Sequence, residues 1–265
     1  MNCCICGAVR NCEKYLDNVF ENMEKIGSIF HDYKIVLFYD NSTDNTLTKI
    51  NEYNSKNNKL IFYINDKPLL PCRTHRLANA RNWCLKYVMD NLNTYPYFIM
   101  MDCDNVCSTP IQLNILRKYL YQDSWDALSF NREDYYDLWA LSISPYLISC
   151  RHFKNNFESE LKQFIKKLLN NLSENGLLDC YSAFNGFAIY KTSKFINCHY
   201  DGRLRIDLIS KPQLIQNLKT IKQPIHIFPY GTERSVLEDC EHRSFHLMAI
   251  NKNDAKIQIS KDILF

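Results

Sequence analysis

Glycine is scarce in this chain. Only six occur in 265 residues, at positions 7, 27, 176, 186, 202 and 231, and none is spaced as G-x-G-x-x-G or as a phosphate-binding loop. A dinucleotide dehydrogenase and a P-loop NTPase are both argued against. Long apolar runs are missing too, since no stretch approaches the roughly 20 residues of a membrane span. Charge of either sign is not in excess: the net charge is +3 and charged residues make up 23%. Bulk electrostatics therefore give no reason to expect a nucleic-acid partner. The N-terminus has neither a basic region nor a long apolar core, so no signal peptide is expected. A cytoplasmic protein with reduced thiols is the default expectation. Cysteine, by contrast, is abundant at twelve residues. Several lie in apolar runs (Cys84, Cys103, Cys180), where a thiol packs as a small hydrophobe. Cys3, Cys4, Cys6 and Cys12 match no usual zinc-finger spacing. There is no linker, repeat or low-complexity tract, so a single domain over residues 1–265 is expected.

The most informative stretch is Tyr97-Phe98-Ile99-Met100-Met101-Asp102-Cys103-Asp104-Asn105. An apolar run of this length reads as a buried strand. Side chains alternate along a strand, so Asp102 and Asp104 point one way and Cys103 the other. Ligands of open α/β sheets bind at the carboxyl ends of the strands. Two carboxylates at that end repel each other, and a divalent cation relieves the repulsion. Oxygen ligands favour Mg or Mn, whose shell is completed by water and phosphate oxygens. The alternative is a surface turn whose acids cap the next helix.

The rest of the pattern is strand–helix alternation. Strands are expected over Met1 to Val9, Ile35 to Tyr39 and Leu60 to Ile64. Helices are expected after Asn11, after Ser42, and over Thr74 to Asn91. Thr109-Pro110 predicts a helix start, Asp126 to Asn131 a strand, and Phe157 to Leu172 a helix. Ala183 to Tyr190 reads as a strand broken by Asn185-Gly186, and the remainder as shorter strands and loops. This order argues an α/β fold with a mostly parallel central sheet covered on both faces.

Asp40-Asn41-Ser42-Thr43-Asp44-Asn45-Thr46 resembles the Asp-Gly-Ser-x-Asp-x-Thr signature of A-fold (GT-A) nucleotide-sugar glycosyltransferases, and Asp102-Cys103-Asp104 resembles their Asp-x-Asp motif. Residues 76–82, 135–141 and 182–190 with Cys240-Glu241-His242 are similar to a bacterial and viral branch that itself resembles fungal capsule mannosyltransferases. The Asn, Lys and Ile bias suits an AT-rich genome such as that of a large DNA virus, which would put the protein in the host cytoplasm. Asn41 departs from the wider pattern, which has Asp or Gly there. The resemblance implies a Rossmann-type three-layer GT-A domain, with a nucleotide-binding half over about 1–108 and an acceptor and metal-completing half over about 109–265.

It also implies a metal-dependent hexosyltransferase that uses a UDP- or GDP-sugar donor and a hydroxyl of a glycan or protein. Mn2+ or Mg2+ would sit on Asp102 and Asp104, with His242 completing the shell. Ala8, Arg10, Asp40, Arg73, Arg76, Arg81, Asp102 and Cys103 would face the nucleotide. Asp40 can accept hydrogen bonds from a base or ribose, or cap a helix. Arg10 follows the first strand and could equally be surface-solvated; Arg73, Arg76 and Arg81 stand in or just before the first two turns of one helix, where they oppose its dipole but suit phosphate, the alternative being a solvated basic turn. Trp139, Asn185 and Gly186 would contact acceptor or donor sugar, and Trp139 could equally be core. Asp137, Asp239 and Glu241 are candidates for the base that activates an acceptor hydroxyl. Two other readings remain: a sugar-1-phosphate nucleotidyltransferase, although Cys6-Gly7-Ala8 supplies no glycine-rich loop, and a non-catalytic nucleotide- or carbohydrate-binding protein.

Overall fold

The structure is a computed structural model and describes residues 1–155, 157–225 and 238–265. Its first half is wound as the alternation predicts: β1 (Asn2–Val9), α1 (Leu16–Gly27), β2 (Asp32–Tyr39), α2 (Thr46–Lys56), β3 (Leu60–Ile64), α3 (Arg73–Asp90) and β4 (Tyr97–Asp102). The second half contains α4 (Leu113–Leu120), β5 (Ala127–Asn131), α5 (Glu158–Asn170), β6 (Leu177–Cys180), β7 (Phe187–Lys191), α6 (Lys211–Ile221), α7 (Glu241–Asn253) and β8 (Ile257–Ile263). The eight strands form one sheet in the order β3-β2-β1-β4-β7-β5-β8-β6. Strands β1 to β4 run parallel to one another, and β5 is parallel to β8. Antiparallel pairing enters with β7, between β4 and β5, and with β6 at the edge.

Alternation along the central strands divides the core into two layers. Cys4, Cys6, Phe98 and Met100 pack on one face, and Cys3, Ile5, Ile99 and Met101 on the other. All twelve cysteines are buried thiols, as the apolar runs around them predict. Gly7 is needed where β1 passes β4, because a Cβ there would stand 2.3 Å from the Cys103 Sγ. No helix among the described residues is long and apolar enough to cross a membrane.

Three expected helix starts move. Asn11 does not cap α1, which begins at Leu16. It adopts a left-handed φ of 52° and accepts from the Thr43 N–H at 2.8 Å. Ser42 does not cap α2, since its Oγ accepts from the Asn11 N–H at 3.0 Å and the helix begins at Thr46. The loops after β1 and β2 are thus cross-linked, and that pairing consumes the side chains a local reading assigns to caps. Thr109-Pro110 likewise precedes a short extended segment. The Ile111 N–H reaches Asn22 and the Gln112 N–H reaches Leu264, so α4 starts only at Leu113. The C-terminal remainder, expected as short strands and loops, contains α6 and α7. Residues 241–249 of α7 are all buried, so this helix lacks the apolar stripe by which helices are recognised.

Candidate active site

Parallel register brings the ends of β1, β2 and β4 level. Ala8 pairs with Phe38 on one side and with Asp102 on the other. Arg10, Asp40 and Asp104 therefore leave the sheet at the same edge. Because β7 is antiparallel to β4, its first residue, Phe187, pairs with Met101. The turn before it consequently arrives at that edge too. Asn185 (φ 54°) and Gly186 (φ 86°) are both left-handed, and the Phe187 N–H bonds the Phe184 carbonyl at 3.2 Å. This Asn-Gly turn also leaves the Gly186 carbonyl to accept from the Asp102 N–H at 2.9 Å.

Two clefts open at this edge. The first, about 280 Å³, is lined by Ala8, Arg10, Asp40, Arg73, Arg76, Asp102, Cys103 and Asp104, among others. It gathers every residue expected to face a nucleotide except Arg81. The second, about 320 Å³, is lined by Arg81, Tyr136, Asp137, Trp139, Arg151, Phe184, Glu241 and His242, among others. Arg73, Leu77 and Asp102 line both. Asp239, Asn185 and Gly186 line neither. Asn185 is buried and its amide is engaged with the Phe130 carbonyl (3.0 Å) and the Asp137 N–H (3.3 Å). In this structure it braces the wall of the second cleft.

Asp40 follows β2 with its backbone N–H on the Val9 carbonyl. Its Oδ1 accepts from the Asn65 side-chain amide at 2.8 Å and from the Asn41 N–H at 3.2 Å. A small cavity of about 120 Å³ adjoins it, lined in part by Phe38, Asp40, Asn65, Arg76 and Asn79. Asp104 Oδ1 accepts from the Val106 N–H at 3.0 Å. Asp102 is held at both oxygens, by Arg81 Nη2 at 3.0 Å and by the Tyr136 hydroxyl at 3.1 Å. Burial pushes its pKa up to about 6; Arg81 opposes the rise, while Asp104 and Asp137 add to it. Arg81 also pairs closely with Glu241, and its guanidinium lies over the Phe184 ring. It is an interior cation between two carboxylates, set back from the cleft where phosphates would lie.

The three candidate bases differ in their surroundings. Asp137 lines the second cleft, and burial raises its pKa against the opposing hydrogen bond from the Ala140 N–H. Glu241 is tied to Arg81. Asp239 points into the interior, bonded to Arg243 Nε at 2.9 Å, with His152 Nε2 at 3.3 Å. Burial pushes its carboxyl upward, but Arg243 and His152 outweigh that and hold it below the usual carboxylate range. Arg243 in turn donates to the Leu141, Leu147 and Trp139 carbonyls. Asp239 thus fixes the loop that walls the second cleft.

His242 stacks on Phe184 at 3.7 Å, and neither ring nitrogen has a hydrogen-bond partner among the described residues. Burial, then Arg81 and His246, hold its pKa well below the usual value, so the imidazole is neutral. A neutral, unpartnered imidazole and two strand-end aspartates are a donor set that fits Mn2+. The three do not form a ready-made three-ligand cluster, and none exists among the described residues. A bound ion would therefore take much of its shell from diphosphate and water. Local reading of the sequence missed Tyr136 and Asn65. Tyr136 adjoins the chosen Asp137, and Asn65 is the first polar residue after β3, at the same sheet edge as Asp40.

The family model of glycosyl transferase family 2 matches residues 4–192. The chain belongs to glycosyl transferase family 2. Of the activities the sequence left open, glycosyl transfer is the one this family's description matches. Among solved structures, S. aureus TarS aligns over 100% of this chain and 36% of its own, at 15% identity and a TM-score of 0.53. S. aureus TarS 1–349 in complex with UDP-GlcNAc aligns over 100% of this chain and 57% of its own, at 16% identity and a TM-score of 0.49. The mannosyltransferase PcManGT from Pyrobaculum calidifontis, in complex with GDP-Man and Mn2+, aligns over 98% and 54%, at 12% identity and a TM-score of 0.45. The TarS likeness is one of fold, consistent with the GT-A architecture, and the chain spans about a third of the TarS chain. No curated protein matches.

Proposed function

We propose that this family 2 glycosyltransferase moves a hexosyl group from a UDP- or GDP-sugar to a hydroxyl of a glycan or protein acceptor, with Mn2+ or Mg2+ as cofactor. The observation that carries the reading is the position of Asp102 in the wall shared by two clefts. One cleft offers Asp40 and three arginines, and the other offers carboxylates and an aromatic wall. A donor lying with its nucleotide in the first would place its sugar–phosphate bond at the junction.

Asp40 takes the base or ribose. Arg73 and Arg76, in the first turn of α3, face the phosphates. Asp102, Asp104 and His242 would hold the ion, which supplies positive charge to a departing diphosphate. Tyr136 and Arg81 fix the orientation of Asp102. Trp139 offers a ring face to sugar C–H groups. Asp137 is the carboxylate that takes the acceptor hydroxyl proton if configuration inverts, because it alone of the three lines the second cleft without a side-chain cation on it. Retention needs no such base.

The test is a donor panel of UDP-, GDP- and CDP-sugars, including GDP-mannose, incubated with Mn2+, Mg2+ or EDTA. Released nucleoside diphosphate is read by slow hydrolysis without acceptor. Release from one donor that stops with EDTA supports the reading. No release and no change in melting temperature with any nucleoside diphosphate at millimolar levels, where ligand binding must stabilise the native state, would refute it.

A further inference from the structure

The first turn of α3 carries Arg73 and Arg76 but no acid, and Cys72 at its N-cap makes no side-chain capping bond. By its own sequence this helix start is unfavourable, because unpaired N–H groups and two cations gather at the positive end of the dipole. The compensation comes from a carboxylate 164 residues further along the chain. Glu238 Oε2 accepts from the Thr74 N–H at 3.1 Å and from the Thr74 hydroxyl at 2.7 Å. An ionised acceptor on a leading helix N–H is a strong cap. Glu238 and Thr74 are each only 1% exposed, so water does not compete for the bond. Glu238 is anchored in turn. Its backbone bridges to Arg203, and the Asp239 N–H reaches the Gly202 carbonyl at 2.9 Å. The same carbonyl lies 2.9 Å from the Thr74 hydroxyl.

Two consequences follow for the clefts. A helix start that already holds a protein carboxylate has less to offer a second anion, so a diphosphate in the first cleft would draw its positive charge from guanidinium groups and the ion. Of the two guanidinium groups on this turn, that of Arg76 is partly engaged, since Nη1 donates to the Leu70 carbonyl at 2.7 Å and to the Pro71 carbonyl at 3.2 Å. Arg73 is exposed and lines both clefts together with Asp102. It immediately precedes Thr74, so the reach of its guanidinium depends on where the backbone of Thr74 is held.

We propose that Glu238 is a positioning residue for glycosyl transfer: by capping α3 it holds Arg73 at the junction of the two clefts where, on the nucleotide-sugar reading of those clefts, the diphosphate lies. Two variants separate its reach from its charge. Glu238→Gln keeps the length and an acceptor oxygen but loses the charge, whereas Glu238→Asp keeps the charge and falls one methylene short of Thr74. Each is made in the full chain, alone and combined with Arg73→Ala. UDP and GDP are titrated calorimetrically in Mn2+ at a temperature where circular dichroism shows every variant folded. Arg73→Ala should weaken binding of the nucleoside diphosphate about tenfold, the size of one lost charge-assisted hydrogen bond. Glu238→Asp should weaken it several-fold, and Glu238→Gln should stay within about twofold of the wild type. In the Arg73→Ala background Glu238→Asp should change affinity little, because residues that act through one another are not additive. Wild-type affinity in Glu238→Asp overturns the proposal and leaves Glu238 a cap for stability alone. Losses that multiply in the double variant overturn action through Arg73, and a loss in Glu238→Gln as large as in Glu238→Asp assigns the effect to charge instead of position. These results all leave the glycosyltransferase reading intact. Failure of wild-type protein to bind either nucleotide overturns that reading and this inference together.

Discussion

Arg81 Nη2 stands 3.0 Å from Asp102 Oδ1, and the same guanidinium pairs with Glu241 at the start of α7. One buried cation thus joins the carboxyl end of the central strand to a helix from the far end of the chain. The Asp102 carboxylate is oriented in advance and partly neutralised, which keeps two neighbouring aspartates together at one sheet edge. Charge that would otherwise repel across the cleft is balanced from beneath.

Removing that cation should cost stability. Arg81 and Glu241 side chains are 5% and 3% exposed, while Asp102 is 25% exposed and partly screened. Breaking a buried pair by deleting one partner costs about 3–5 kcal/mol, and the exposure of Asp102 places this case near the lower end. At about 3 kcal/mol, Arg81→Ala should lower the melting temperature by roughly 6–12 °C for a chain of this size. Differential scanning calorimetry reads it, and a shift of under a degree would show that the network carries no net stability.

Acid should loosen the fold through the histidines of α7. His246 is fully buried between the Ser182 and Tyr190 hydroxyls, and burial pushes its pKa down to about 3. His242 is displaced in the same direction. For a group whose folded pKa lies below its unfolded one, the stabilisation is present above the unfolded value and is lost as pH falls toward the folded one. Stability should therefore decline from about pH 6.5 downward, at up to about 1.4 kcal/mol per pH unit for each histidine. Urea unfolding at pH 7, 6, 5 and 4 measures the slope. The slope should be shallower in His246→Gln, and equal slopes in the two proteins would remove His246 from the account.

How legible this was from the sequence depends on the range of the interactions. The apolar run that makes β4 and ends it at Asp102 is local, and the strand–helix order of the first half is a matter of local period. Both could be read directly. Local rules make Asn11 and Ser42 caps because their actual partners lie on each other's loops, beyond the reach of such rules. Helix α7 carries no stripe because residues on all its sides are buried. The Arg81–Glu241 pair, the capping of α3 by Glu238 and the inward turn of Asp239 toward Arg243 exist only once the sheet has brought distant segments together.

The proposed division of labour between two aspartates can be separated by two readouts. Asp137→Asn should lower acceptor-dependent kcat by on the order of 10²-fold or more if Asp137 is a general base, with little change in the dissociation constant for the nucleoside diphosphate. Asp239→Asn should act first on the fold, because Arg243 is 3% exposed and would lose its only carboxylate among the described bonds. Its melting temperature should drop by several degrees, with any loss of activity following the loosened 139–147 wall. Equal kcat losses with both proteins at wild-type stability would reassign the base to Asp239.

The metal assignment stands or falls on Asp104→Asn. The substitution keeps an oxygen that can accept from the Val106 N–H, so the turn after β4 should survive and the melting temperature without ligand should hold or rise slightly as repulsion with Asp102 is relieved. What is lost is the charge that would retain a divalent ion. Metal assistance lowers a barrier by several kcal/mol, and each ~1.4 kcal/mol is a factor of ten, so Mn2+-dependent nucleotide release should fall on the order of 10²-fold or more. His242→Ala needs a different readout, since the loss of its stack on Phe184 lowers stability whatever else it does. There the informative quantity is Mn2+ affinity in the presence of nucleoside diphosphate, followed by electron paramagnetic resonance at a temperature where the variant is folded. Weakened Mn2+ binding in both variants assigns the histidine to the ion. Weakened binding in Asp104→Asn alone leaves His242 as part of the aromatic wall, and near-normal Mn2+-dependent release in Asp104→Asn removes the strand-end pair from the metal site.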